Sequence, residues 1–106
     1  MQQISDGLVF VCEQESRILG FAIALQREDG DHEVDGLFVE PRLWRRGIGT
    51  LLLREAERRV LSTGAALLHV VANPRAEGFY RRHGFEIRGS HQTRFRPANL
   101  MAKALR

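Results

Sequence analysis

The sequence predicts an α/β fold of the α+β kind, with a mixed sheet that begins as an antiparallel meander and continues as a parallel βαβ core. Three observations lead there. Short, alternating, β-rich segments separated by turn residues fill the chain as far as Val39. From Gly49 onward the apolar residues change to helical spacing, at Leu52, Leu53, Ala56 and Val60. The next apolar run, Ala65 to Ala72, is continuous apart from His69, as expected of a strand buried on both faces.

Taken in order, Gln2 to Ile4 reads as the tail of a helix ended by Ser5-Asp6-Gly7. Leu8 to Glu13 alternates as a first strand, Gln14 to Arg17 is a turn, and Ile18 to Arg27 is a second strand paired with the first. Glu28-Asp29-Gly30-Asp31 makes another hairpin turn, before a third strand from Glu33 to Val39. The helix that follows carries Arg54, Glu55, Glu57, Arg58 and Arg59 on its polar side and stops at Gly64. Strand, helix and strand with short links imply a right-handed crossover, and ligands collect outside the carboxyl ends of such strands. Asn73-Pro74 opens a short helix through Phe79 and Tyr80 to His83, closed by Gly84. Glu86 to Arg88 and Leu100 to Leu105 read as strands, joined by a polar segment, Gly89 to Asn99, that includes a loop.

At 106 residues the chain is one domain, residues 1–106, without repeats or low-complexity segments. No apolar run approaches a membrane span and no basic-then-apolar leader opens the chain, so the cytoplasm is the expected location and a membrane is not an expected partner. The single Cys12 excludes an intramolecular disulfide and a cysteine-rich metal site, and no metal is expected. The formal charge of +3 is carried almost wholly by arginine, Lys103 being the one lysine, which suits an anionic ligand. Acidic residues crowd between Glu28 and Asp35, and no helix-turn-helix, zinc-finger or RNA-binding signature is present, so nucleic acid is not the expected partner.

Chemistry is most legible from Val39 to Leu53, where a strand passes through Glu40-Pro41 and Trp44-Arg45-Arg46-Gly47-Ile48-Gly49-Thr50 into a helix. The first turn of a helix has unpaired N–H groups and the positive end of its dipole, so anions belong there. Glycine at 47 and 49 removes side chains that would hold a pyrophosphate off the backbone, and Arg45 and Arg46 add positive charge. The spacing is neither a Walker loop nor a dinucleotide fingerprint.

Leu37-Phe38-Val39-Glu40-Pro41, then Gly47-Ile48-Gly49, then Asn73-Pro74-x-Ala76-x-x-Phe79-Tyr80-x-x-x-Gly84-Phe85, in this order and spacing, resemble the GCN5-related N-acetyltransferase (GNAT) superfamily. The resemblance implies its acyl-CoA N-acyltransferase fold, acetyl-CoA as cosubstrate, and direct transfer of the acetyl group to a primary amine without an acyl-enzyme. It assigns the pyrophosphate to Arg45, Arg46, Gly47, Ile48, Gly49 and Thr50, chiefly through backbone N–H groups. Leu37, Phe38 and Val39 match the strand whose backbone pairs with the pantetheine arm and polarises the thioester carbonyl. Asn73 matches a coenzyme A contact, and Asn before Pro is equally a helix N-cap. Tyr80 matches the general acid that protonates the departing thiolate; the other reading is an aromatic packed beside Phe79 and Phe85.

The chain departs from that family in two places. Trp44 stands where the family usually has Gln or Arg. The strand and two helices that normally begin the fold, and form one wall of the acceptor site, are almost wholly lacking, so the chain is a short member or a second copy supplies the wall as a homodimer. A non-catalytic acyl-CoA-binding module is the alternative function.

An acceptor amine with a pKa of about 10.4 is about 3.4 units too protonated at pH 7, a cost of about 4.6 kcal/mol without help from the enzyme. Glu33 lies six residues before Val39, where the histone-acetylating branch keeps its catalytic glutamate. Strand alternation puts Glu33, Asp35 and Leu37 on one face, unless a bulge permitted by Gly36 changes the phase. A solvated strand end is the other reading of Glu33. His69 is a second candidate base or a hydrogen-bonded core histidine. The glutamate that some ribosomal-protein acetylating relatives place five before the Asn is Leu68 here. The acidic segment from Glu28 to Asp35 suits a cationic acceptor such as a polyamine, an aminoglycoside-like compound or a lysine side chain.

Overall fold

The computed structural model describes residues 2–4, 7–92 and 97–105. Its strands are β1 (Gln2–Ile4), β2 (Gly7–Gln14), β3 (Arg17–Gln26), β4 (His32–Val39), β5 (Leu67–Ala72), β6 (Glu86–Gln92) and β7 (Pro97–Ala104), with helices α1 (Ile48–Ser62) and α2 (Pro74–Arg82). They form a single sheet in the order β1-β2-β3-β4-β5-β7-β6. Only the β4–β5 pair is parallel among the described residues; its connection is α1, giving the expected βαβ unit. No helix among the described residues is long and apolar enough to cross a membrane.

The β2–β3 hairpin turns on Glu15 and Ser16, both with left-handed φ values of 50° and 67°. That is the primed geometry whose twist matches the flanking strands, here adopted without glycine. On β3, Ala22 and Ala24 are buried, and their small side chains let α1 lie close to the sheet. Gly20 belongs to the same contact, because a Cβ there would sit 2.6 Å from the Phe38 carbonyl oxygen and 3.1 Å from Leu52 Cδ1.

Helix α1 buries Leu52, Leu53, Ala56 and Val60, the four residues its spacing singles out, and each large one contributes about 1.5–3 kcal/mol. They join Phe10, Leu68, Val70, Met101, Tyr80 and Phe85 in one core, which places both helices on the same face of the sheet. Lys103 of β7 reaches across this face to Glu57 of α1 at 2.7 Å. The opposite face carries no helix among the described residues, and Val11, Leu25, Phe38, Val71 and Leu100 are exposed.

Two expectations are corrected and one open choice is decided. Gln2 to Ile4 is a strand paired with β2, not a helix tail, because three residues cannot nucleate a helix while the β2 edge offers ladder partners. Ser5 and Asp6 lie outside the described residues, and Gly7 opens β2. The polar Gly89 to Asn99 segment is mostly ladder: β6 continues to Gln92 and β7 starts at Pro97, with the intervening loop outside the described residues. Strand β7 lies between β5 and β6, so its partners on both sides, rather than its polarity, decide its state. Finally, of the two readings left open for β4 the bulged one holds, so Glu33 and Leu37 do not share a face. In the β3–β4 ladder Ala24 pairs with Val34 and Ile23 with Gly36, so Asp35 is an extra, bulged residue that reverses the alternation.

Candidate active site

The parallel ladder between β4 and β5 is short, joining His32–Val34 to Leu68–Val70. Beyond Val34, β4 keeps β3 on one side, while its other edge parts from β5. Backbone N–H and C=O groups along Leu37–Val39 therefore face a gap, and buried backbone groups of this kind need partners. One is supplied internally: the Trp44 indole N–H donates to the Val39 carbonyl at 2.8 Å. Trp44, out of place by family pattern, so folds the glycine loop back onto the end of β4.

The loop then turns through Arg45 and Gly47, with φ of 68° and 82°, into α1. Gly47 is the N-cap and contributes no side-chain oxygen, so the N–H groups of the first turn remain open to a ligand. A cavity of about 520 Å³ runs from that turn to the free edge of β4. Of the residues expected to hold a cofactor, Leu37, Phe38, Val39, Arg45, Gly47, Ile48, Gly49 and Thr50 line it together. Arg46 does not; it lines a neighbouring cavity with Arg17 and Arg42. Asn73 is also outside the lining, being the exposed N-cap of α2, with its side chain accepting the Ala76 N–H at 3.0 Å.

Phe79, a motif residue given no cofactor role in sequence, also lines the cavity, and His83 supports it from behind. Phe79 closes the cavity beside Gly49, where a Cβ would lie 3.4 Å from its ring. His83 supports Thr50: its Nε2 is 2.9 Å from Thr50 Oγ1, while its Nδ1 is 2.8 Å from the Phe79 carbonyl oxygen. A carbonyl only accepts, so Nδ1 carries a proton, and in the neutral ring Nε2 accepts the Thr50 hydroxyl. This contact ties the first turn of α1 to the last turn of α2 across 33 residues of sequence.

Tyr80 is buried, edge-on to Phe79 at 5.3 Å and to Phe85 at 5.3 Å, and it is not among the cavity-lining residues. Burial pushes its phenol up to about 12, so it keeps its proton at neutral pH.

Glu33 and His69 are paired across the β4–β5 ladder, on the helix-free face, and line a separate cavity of about 230 Å³. His69 Nε2 lies 3.2 Å from Asp31 Oδ2, and Asp31 Oδ1 accepts the Ala66 and Leu67 N–H groups at 3.2 Å each. Desolvation would raise the Asp31 carboxyl, but the hydrogen bonds from His69, Leu67 and Ala66 outweigh it and hold the group below its ordinary value. Asp31 thus pins the start of β5 to the start of β4. Desolvation lowers the buried His32 below its ordinary value against the opposing pull of Asp31.

Residues 5–87 match the family model of the acetyltransferase (GNAT) domain. The chain belongs to the GNAT family. Solved structures share the fold of this GNAT chain at low identity. One is an aminoglycoside 6′-N-acetyltransferase complexed with coenzyme A, with a TM-score of 0.87 and 19% identity, covering 96% of this chain and 74% of that one. Another is the ribosomal-protein-S18-alanine N-acetyltransferase from Escherichia coli, at 0.85 and 23%, covering 97% and 71%. A putative streptothricin acetyltransferase from Bacillus anthracis in complex with acetyl coenzyme A gives 0.87 and 15%, covering 95% and 64%. In sequence, the GNAT chain is 33% identical over 95 residues to an uncharacterized N-acetyltransferase of Methanocaldococcus jannaschii. The match covers 81% of this chain but 42% of that protein, so the chain spans less than half the length of this relative.

Proposed function

We propose that this GNAT chain transfers the acetyl group of acetyl-CoA to a primary amine. The observation that carries the reading is the cavity of about 520 Å³ between the free edge of β4 and the uncapped first turn of α1. Open N–H groups, the helix dipole and Arg45 suit a pyrophosphate. The Leu37–Val39 edge suits an extended amide-bearing arm, which would add to β4 as a strand does. Coenzyme A or acetyl-CoA in complexes of the same fold supports this cosubstrate.

In this reading the acceptor nitrogen attacks the thioester carbonyl carbon. The ammonium first gives one proton to the Glu33 carboxylate; the C–N bond then forms as the C–S bond breaks, the thiolate takes a proton from Tyr80, and the second proton lost by nitrogen passes through solvent to restore the Tyr80 phenol. A backbone N–H of Leu37–Val39 stabilises the oxyanion. Burial keeps the Tyr80 proton in place but also disfavours the phenolate, so Tyr80 is the assignment most open to test. Its absence from the cavity lining favours the second reading, a module that binds acyl-CoA without turnover.

Denaturant stability with and without acetyl-CoA tests the site: ligand at a hundred times its dissociation constant adds about 2.7 kcal/mol. Release of free coenzyme A thiol with a panel of amines tests turnover. Binding without turnover selects the binding module, and no stabilisation removes the acyl-CoA site. Light scattering on the same sample tests whether a second copy covers the helix-free face as a homodimer.

A further inference from the structure

Two bulges interrupt the strands that carry the cavity on the helix-free face. Asp35 is the extra residue on β4, and Arg88 is the extra residue on β6, where Ile87 pairs with Met101 and Gly89 with Leu100. Bulges re-aim side chains, and the second brings Arg88 into the lining beside Glu33, His69 and Arg27. Arg27 is already paired with Asp29 at 3.2 Å, and His69 with Asp31. Glu33 and Arg88 have no ion-pair partner among the described residues, although they share the cavity. A carboxylate and a guanidinium held apart in one pocket are complementary to a ligand that carries both charges.

The place of this pocket matters as much as its charges. If acetyl-CoA fills the cleft between the free β4 edge and α1, the acceptor must reach the thioester from a side that the cosubstrate does not occupy. Val34–Val70, one step beyond the Glu33–His69 pair, is the last pair before β4 and β5 part, and the pocket lies beside these closing pairs on the opposite face. We infer that this pocket is the acceptor site and that it takes a small zwitterionic amine of the α-amino-acid class. Glu33 receives the ammonium and Arg88 the carboxylate as a two-bonded fork. Arg88 is thereby a specificity-determining residue, and Asp31 a positioning residue that fixes His69 in the pocket wall. A volume of about 230 Å³ admits a single amino acid and excludes most of a polycationic aminoglycoside.

This inference rests on the acetyltransferase reading, and the experiment separates the two. With acetyl-CoA saturating, kcat/KM is measured for L-leucine, L-leucinamide and spermidine. The amine of the amide is less basic and so more deprotonated at neutral pH, so reactivity alone favours the amide. The expected result is the reverse, with L-leucine preferred by about tenfold, the value of one charge-assisted contact. Arg88→Gln brings the ratio of acid to amide towards one, mainly through KM, and Arg88→Lys restores most of it. Preference for spermidine or leucinamide overturns the inference, as does a ratio that survives in Arg88→Gln. If acetyl-CoA binds but no amine is turned over, NMR titration of L-leucine and leucinamide into the coenzyme A-loaded protein decides: equal binding, or none, overturns it. Failure of acetyl-CoA itself to bind instead removes the acetyltransferase reading.

Discussion

Tyr80 is the one tyrosine of the chain, so its titration can be followed directly by phenolate absorbance. Folding raises its pKa from 10.0 to about 12, by desolvation. Between these values the unfolded chain has released the proton and the native chain has not. Stability from this group is therefore complete below pH 10 and falls as pH rises towards 12, by about 3 kcal/mol in all. Urea unfolding on either side of this range should show the loss in the native protein and its absence in Tyr80→Phe. The same variant should lower kcat about 100-fold with little change in acetyl-CoA affinity; an unchanged kcat would remove Tyr80 as the acid. Asp31 has the opposite sign. Its carboxyl is held low, so its contribution is present above the ordinary carboxylate range and is lost as pH falls through the lowered native value. Asp31→Asn, which keeps the shape but loses the charge, should cost about 1–3 kcal/mol at neutral pH and weaken the acid dependence.

At the level of elements, two glycines separate space from backbone strain. Gly20→Ala drives a Cβ into the Phe38 carbonyl oxygen, a backbone atom that cannot swing aside, and should cost roughly 1–3 kcal/mol in an unfolding titration. Gly47→Ala meets nothing within 4 Å, so its cost comes from φ alone, about 1–2 kcal/mol. Only the second change acts on the N-cap of α1, so it should also weaken acetyl-CoA binding, measured by calorimetry, more than the first does. The periodicity of α1 is legible in sequence because one face is core and the other water. The phase of β4 stays open in sequence, where Gly36 permits a bulge without requiring it, and pairing with β3 decides for the bulge at Asp35.

Across the whole molecule the sheet separates two cavities. One face holds the helices, the core and the cleft proposed for acyl-CoA, while the other holds Glu33, His69 and Arg88. Acetyl-CoA should therefore protect the amides of Leu37–Val39 and Ile48–Thr50 in hydrogen exchange. His32–Val34, already closed in the parallel ladder, should change far less. Uniform protection, or protection confined to β6 and β7, would place the ligand elsewhere.

The sequence by itself determined the antiparallel-then-parallel sheet, α1 with its buried stripe, and the glycine loop feeding that helix. These follow from local patterning and from motif residues that act through their own backbone. It also named eight of the residues that line the cavity at the free β4 edge, because a contiguous loop and strand end carry them. Only the tertiary structure decided that Arg46 and Asn73 fall outside that cavity, that Phe79 enters it, and that His83 meets Thr50. The same holds for the strand state of Gln2–Ile4, the insertion of β7 between β5 and β6, and the bulges that aim Arg88 and reverse the face of Leu37. Each of these depends on which distant segment supplies the hydrogen bonds, and local propensity does not encode that choice.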